Sequence, residues 1–331
     1  MQVQTGDNLG IGGFIITGTT PKHVLLRAIG PSLTQFGVPN ALADPVMELH
    51  GPDAFATITN DNWRDDPVQE SLILATGIPP TNDLESAIDA TLNPGAYTAV
   101  VSGKDNTSGI ALIEVYDLNR PAASKVANLS TRAFVSTDDD IMIAGFTLGG
   151  NSGDDGIVVR GIGPSLTAFG VPNALVDPTL ELRDSNGARL AANNDWQDNP
   201  DQAAELTAAG LAPTNQLESG IAIMLPPGPY TALLSGLNNG TGVGLVEVYD
   251  RGGTPTAPQT STFQSFLRAA ESSLSRRSIF APLSRRPFTS MIAEVQEDIV
   301  GVRVGTFPES ETAGYSDSGN PSDLKGRGVT W

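Results

Sequence analysis

An internal duplication constrains this chain more than any other feature. Arg27 to Asp117 superposes on Arg160 to Asp250 at a constant offset of 133 without a gap, with 47 identities in 91 positions. Two domains of one fold follow. The shared blocks include Arg27-Ala-Ile-Gly-Pro-Ser-Leu33 with Arg160-Gly-Ile-Gly-Pro-Ser-Leu166, Trp63 with Trp196, Leu84-Glu-Ser86 with Leu217-Glu-Ser219, and Glu114-Val-Tyr-Asp117 with Glu247-Val-Tyr-Asp250. Upstream, Val3 to Phe14 matches Val135 to Phe146 at an offset of 132. Nothing precedes the first copy to match the lead-in Ala127-Asn-Leu-Ser-Thr-Arg132, which suggests a chain that starts inside a longer protein.

Short alternating apolar runs broken by Gly, Pro, Asn and Asp read as strands: Ile141–Phe146, Ile157–Arg160, Leu180–Arg183, Tyr230–Leu234 and Leu245–Tyr249 in the second copy. Asp184-Ser-Asn-Gly187 is a tight hairpin signal, because Asn-Gly readily takes positive φ. One helix per copy is expected. Asp66-Pro67 and Asn199-Pro200 supply an N-cap and a first-turn proline, and Gly77 and Gly210 sit where a C′ glycine belongs. The expectation is all-β: two tandem antiparallel jelly-roll-like β-sandwiches over 1–117 and 130–250, joined by a linker at 118–129. Residues 251–331 match neither copy and are expected to be poorly ordered. Phe263, Phe266, Leu267, Ala270 and Leu274 lie on one helical face there, the pattern of a short amphipathic helix, before a polar end from Phe307.

Charge narrows the partners. The chain carries 37 acidic and 19 basic side chains, a net charge of −18, and residues 251–331 hold 8 of the acids and 9 of the bases. The repeats are therefore strongly acidic and repel phosphate backbones and anionic lipid, so nucleic-acid binding is excluded. No apolar run reaches the ~18 residues of a membrane span, and Met1-Gln2-Val3-Gln4 opens no signal peptide. The absence of cysteine removes disulfides, thiolate catalysis and thiolate metal sites.

The second part of each copy resembles a known family. Asp177-Pro-Thr-Leu-Glu-Leu182, Asn193-Asn-Asp195 and Leu225-Pro-Pro-Gly-Pro-Tyr-Thr-Ala-Leu-Leu234 are similar in order and spacing to the bacterial pre-peptidase C-terminal domain. Asp44-Pro-Val-Met-Glu-Leu49, Asn60-Asp-Asn62 and Leu92-Asn-Pro-Gly-Ala-Tyr-Thr-Ala-Val-Val101 repeat the pattern. The resemblance implies a jelly-roll-like sandwich appended to secreted hydrolases, an extracellular or cell-surface setting, and, for some members, binding of calcium or insoluble polymers. The Arg-x-Ile-Gly-Pro-Ser-Leu block lies outside that pattern and looks like a repeat of large secreted proteins of environmental bacteria.

The chemistry-bearing residues point to a hard cation before they point to catalysis. The two histidines, His23 and His50, both fall in the first copy, and no nucleophile elbow, zinc-protease helix or phosphate loop is present. Ser32 and Ser165 lie in a turn, where a serine bonds local backbone more often than it attacks a substrate. Calcium takes about 6 to 8 oxygen ligands, which suits segments dense in Asp and Asn. Asn60, Asp61, Asn62 and Asp65 form one such segment and Asn193, Asn194, Asp195 and Asp198 its counterpart, so each copy is expected to hold one calcium ion. The competing reading is that these residues build turns and cap the following helix around a tryptophan anchor. Asp138–Asp140 and Asp154-Asp155 are further acidic clusters, and Glu85 and Glu218 are either distant ligands or surface strand residues. Tyr97, Tyr116, Tyr230 and Tyr249 are core or edge aromatics, or a sugar-stacking platform. The expected function is a calcium-binding adhesive or substrate-binding accessory module. Its partners would be polysaccharide, a cell-surface protein or a matrix protein. The alternative is a calcium-dependent hydrolase of a small ester or lactone.

Overall fold

The computed structural model describes residues 1–6, 9–120, 122–137, 141–149, 153–252 and 300–302. The first copy contains β1 (Gln2–Val3), β2 (Gly10–Gly18), β3 (Lys22–Ile29), β4 (Pro45–His50), β5 (Ile58–Asn60), α1 (Pro67–Ala75), β6 (Ser86–Leu92), β7 (Gly95–Gly103), β8 (Gly109–Ile110) and β9 (Leu112–Asp117). The second contains β10 (Ser124–Val135), β11 (Met142–Leu148), β12 (Asp155–Ile162), β13 (Pro178–Asp184), β14 (Arg189–Asn193), α2 (Pro200–Ala208), β15 (Ser219–Leu225), β16 (Gly228–Gly236) and β17 (Gly242–Asp250). A short β18 (Val300–Val302) follows. The chain is all-β, built from antiparallel sheets packed face to face. No helix among the described residues is long and apolar enough to cross a membrane.

Alternation along the strands creates the sandwich. In β4, Pro45, Met47 and Leu49 are buried while Val46, Glu48 and His50 are half-buried, the period-2 pattern of a sheet with one face on a core. Phe14 and Ile16 of β2, Met47 and Leu49 of β4, and Tyr97, Ala99 and Val101 of β7 meet Val24, Leu26 and Ala28 of β3, Ile88 of β6, and Ile113 and Val115 of β9. Each fully buried large side chain contributes about 1.5–3 kcal/mol. Phe146, Leu180, Leu182, Ala232 and Leu234 make the matching layer in the second copy, against Ile157, Val159, Ile221 and Val246, and both layers belong to one continuous core. The helices cover outer faces: Ile73 of α1 packs with Trp63 on Leu25, Ala87 and Tyr116, and Leu206 of α2 packs with Trp196 on Val158 and Ala222.

The strand β10 corrects the expected linker. Ser124–Leu129, assigned to a connector by the sequence, are the first half of a 12-residue strand paired on both edges. One edge runs antiparallel to β17 from Asn128–Tyr249 to Val135–Gly242, and the other to β2 from Ser124–Gly18 to Arg132–Ile11. This joins β15-β12-β17-β10 of the second copy to β2-β7-β4-β5 of the first in one eight-stranded sheet. The physical reason is that β2 and β17 each present an open ladder edge, and an extended segment between them satisfies both. The second copy thus starts at Ser124, and the connector shrinks to the few residues after Asp117.

Local signals in the sequence correspond to local structure. Asp66 Oδ1 accepts from the amides of Val68 and Gln69 at 2.8 and 3.3 Å, and Asn199 Oδ1 from those of Asp201 and Gln202 at 3.0 and 3.2 Å. Gly77 and Gly210 take φ of +77° and +68° just past the helices, and Gly187 takes +78° in the β13–β14 hairpin. The amphipathic segment Phe263–Leu274, the polar end from Phe307 and Asp138–Asp140 lie outside the described residues.

A proline tests the shared strand. Thr131 pairs with both Val246 and Gly12. Thr131→Pro removes an amide and clashes inside a doubly paired strand, and should destabilise the protein by ~3 kcal/mol or more. Calorimetry should show both copies melting in one transition at a lower temperature. Two separate transitions, only one of them shifted, would mean that the copies fold independently.

Candidate cation site

Three segments of each copy converge at one end of a sheet. Asp44 precedes β4, Asp61 and Asn62 follow β5, and Lys104 follows β7. Antiparallel pairing of Pro45 with Gly103 and of Met47 with Asn60 brings them together. The pairs Pro178–Gly236 and Leu180–Asn193 do the same for Asp177, Asn194, Asp195 and Leu237. The amide of Lys104 donates to Asp44 O at 2.9 Å and that of Leu237 to Asp177 O at 2.8 Å, so the backbone is common to both copies although the side chain differs.

The notable property of this place is oxygen without a donor. Asp44 Oδ1, Asp61 Oδ1 and Asn62 Oδ1 are shielded from solvent and accept no hydrogen bond among the described residues, and the same holds for Asp177 Oδ1, Asn194 Oδ1 and Asp195 Oδ1. An unpaired buried acceptor costs about 1–3 kcal/mol. Three such oxygens occur at matching positions in both copies, and all are of the hard type that calcium takes as ligands. In the first copy Lys104 Nζ lies 2.6 Å from Asp61 Oδ2 and 3.7 Å from Asp44 Oδ2. Burial and the neighbouring Asp61 push the Asp44 carboxyl above its ordinary value, against the pull of Lys104. In the second copy Leu237 stands where Lys104 stood. Burial and Asp195 push the Asp177 carboxyl up, with no cation among the described residues opposing them.

The structure divides the residues named from the sequence. Asp61, Asn62, Asn194 and Asp195 carry the unpaired oxygens. Asn60 and Asn193 are bound up in the fold: each amide nitrogen donates to the carbonyl two residues on, at 3.1 and 2.9 Å, and each Oδ1 accepts from the amide of Ala87 or Gly220 at 2.8 Å. Asp65 is exposed and accepts from Asn62 Nδ2 at 3.3 Å, and Asp198 is exposed on the following turn. Asp44 and Asp177 were missed as ligands, although each stands in a repeated Asp-Pro that opens a strand. Among the described residues no group of three or more His, Cys, Asp or Glu gathers for a metal. Each set here is two carboxylates and one amide.

Glu85 and Glu218 are neither ligands nor surface residues. Both are fully buried and organise the Gly-Pro-Ser-Leu turn. Glu85 Oε1 accepts from the amides of Gly30 and Ser32 at 3.1 and 2.9 Å, and Oε2 from Ser32 Oγ at 2.9 Å and the Asn82 amide at 3.3 Å. Glu218 accepts from the amides of Gly163, Ser165 and Asn215 at 3.2, 2.9 and 3.3 Å and from Ser165 Oγ. The serines therefore bond a distant carboxylate, not the local backbone. Burial pushes the Glu85 carboxyl up, opposed by these donors.

The arginine that opens each block is also committed to the fold. Arg27 Nε donates to Glu114 Oε2 at 2.7 Å, and its other nitrogens to Tyr116 Oη at 2.8 Å and Ile78 O at 2.7 Å. Arg160 does the same with Glu247, Tyr249 and Leu211 at 2.9, 3.0 and 3.1 Å. The other tyrosines are core: Tyr97 stacks on Phe14 at 5.4 Å and Tyr230 on Phe146 at 5.6 Å. Tyr97, Tyr116 and Tyr230 are buried, and the Arg160 guanidinium covers a face of the half-buried Tyr249 ring at 5.1 Å.

No protein-family model matches the chain, and no curated protein matches it. Among solved structures, the infectious bursal disease virus VP2 subviral particle is similar at 10% identity over 92% of this chain and 75% of that chain, with a TM-score of 0.13, a likeness too slight to carry an argument.

Removing the Glu85 carboxylate leaves three backbone amides without their acceptor. Glu85→Ala should therefore cost ~3 kcal/mol or more in urea unfolding, and Glu218→Ala a similar amount. A variant as stable as the parent would show that the turn finds other acceptors.

Proposed function

We propose that this chain is a non-enzymatic accessory module of a secreted bacterial protein, of the adhesive or substrate-binding kind, stiffened by calcium in its second copy. The observation that carries the reading is the set of unpaired, shielded oxygens of Asp177, Asn194 and Asp195 beside Leu237. Two carboxylates there carry a net −2, which a divalent ion neutralises. The matching net charge in the first copy is −1, because Lys104 supplies a positive charge of its own. A cation at the second site would tie the start of β13 to the turn after β14, bracing the sheet end from which loops reach partners. A donor set of two carboxylates and one amide suits the weak, millimolar range of extracellular calcium modules. The resemblance to a domain of secreted proteins supports the extracellular setting, and polysaccharide, cell-surface or matrix proteins are the partner classes to screen by pull-down. The hydrolase reading would use the same ion to polarise a carbonyl, and no observation favours it.

Calcium titration of the full chain, by calorimetry and by melting, tests this. One ion should bind per chain. At a hundredfold excess over Kd it should add about 2.7 kcal/mol, raising the melting temperature by roughly 5 °C or more. Leu237→Lys should abolish binding, and Lys104→Leu should raise the stoichiometry from one to two. A parent protein indifferent to calcium and chelator, or a Leu237→Lys variant that binds as the parent does, would overturn the proposal.

The pH dependence follows from Asp177. Burial and the neighbouring Asp195 hold its carboxyl, in the folded chain, above the ordinary value of 3.8. Without calcium the folded state holds this proton more tightly than the unfolded state, so stability falls as pH rises from 3.8 through the raised value. Calcium needs the ionised form, so its affinity should fall as pH drops into that same window. Melting curves from pH 7 to 4, with calcium and with chelator, should therefore converge on acidification.

A further inference from the structure

The outer face of the eight-stranded sheet is covered in one half by α2, where Leu206 and Trp196 lie on Val158, Ala222 and Tyr249 of β12, β15 and β17. α1 lies on the other sheet, over Leu25, Ala87 and Tyr116. The apolar contacts of neither helix include β2, β7 or β4. In those strands Phe14 and Ile16, and Tyr97, Ala99 and Val101, point into the core, so Ile11, Ile15, Thr98 and Val100 point outward. These outward residues are nevertheless closed to solvent, at 1%, 5%, 1% and 7% exposure. Ile11, Ile15 and Val100 belong to none of the apolar clusters among the described residues, and Thr98 Oγ1 has no hydrogen-bond partner among them. Their counterparts on β11 and β16, Ile143, Thr231 and Leu233, are only half-buried.

We propose that this outer face is the seat of the chain's own segment Phe263–Leu274, docked as an amphipathic helix. Position, size and charge choose this occupant. Asn128 pairs with Tyr249 on one edge and with Ile15 on the other, so β17 ends two strands, ~10 Å, from Ile15. Residues 253–262, Gly-Thr-Pro-Thr-Ala-Pro-Gln-Thr-Ser-Thr, form a polar spacer that reaches ~30 Å when extended. The stripe of Phe263, Phe266, Leu267, Ala270 and Leu274 runs along a helix of ~18 Å, and Ile11 to Ile15 spans ~13 Å of β2. Val100 and Ile11 pair with each other and are flanked in the same row by Glu48 and Arg132. The segment carries Arg268 and Glu271 beside its stripe, one charge of each sign for a rim of both. A helix laid there takes the outer apolar row out of water, as α1 and α2 do on their own strands. The residues after the second copy thus fasten its end onto the first copy's part of the sheet.

The chain has no cysteine, so introduced thiols report on this contact alone. In the full chain, Val100→Cys with Leu267→Cys should close an intramolecular disulfide under a mild oxidant, the two thiols giving up their hydrogens and two electrons to it. The yield should be about tenfold higher than for Leu233→Cys with Leu267→Cys. In the single variant Val100→Cys, adding Phe266→Asp and Leu267→Asp should speed alkylation of the thiol about tenfold, because the segment leaves the face. No disulfide, equal yields in the two pairs, disulfides formed only between chains, or an alkylation rate unchanged by the aspartates would overturn the proposal.

Discussion

The double pairing of β10 is the constraint on which the rest of the architecture depends. A strand with a ladder on one edge leaves the donors and acceptors of its other edge exposed, an open template for aggregation. Here one 12-residue strand satisfies β2 on one side and β17 on the other. The two copies are therefore built into one sheet, and their apolar faces merge into one core. A duplication that reads as two beads on a string is, in physical terms, two parts of one sheet and one core.

Several of the polar residues shared between copies satisfy buried polar groups. Arg27, Glu114 and Tyr116, and their counterparts Arg160, Glu247 and Tyr249, form closed sets of donors and acceptors. A buried ion pair gains little net stability over an apolar substitute, but deleting one partner strands a charge, with losses of ~3–5 kcal/mol. Glu85 and Glu218 hold an irregular turn in the same way, through backbone amides that no regular ladder could serve. Identity between copies at these positions thus reflects satisfaction of the fold, and the serine of the Gly-Pro-Ser-Leu block belongs to it.

Much of the fold was legible because it rests on local signals. Strand alternation, Asp66 and Asn199 at the helix starts, and Asn-Gly at the hairpin each act within a few residues. The strand at Ser124–Leu129 was not legible, since nothing local distinguishes a doubly paired strand from an extended connector. The partners of Leu129 lie more than a hundred residues away, at Phe14 and Val248. The site was half legible for the same reason. The Asn/Asp segments announced oxygen donors, but composition could not separate Asn60, whose amide is bound up in the fold, from Asp61, whose oxygen is left over. Asp44 and Asp177 escaped notice because a strand-opening Asp-Pro looks like turn chemistry.

The differences between copies say more about function than their identities do. Across the repeat, Asp61 becomes Asn194 and Asn62 becomes Asp195, so the second carboxylate moves one residue along while the count beside Asp44 or Asp177 stays at two. Drift under a purely structural role would not need to keep that count, because an isosteric amide fills the same volume and removes a like-charge repulsion. Lys104 is the one change that alters the charge. It places an ammonium among the carboxylates of the first copy, whereas Leu237 supplies none to those of the second. One fold thus carries the same set of oxygens in two electrostatic states, partly neutralised by Lys104 in the first copy and without that ammonium in the second. On the reading proposed above, the second copy is the one that a divalent ion completes.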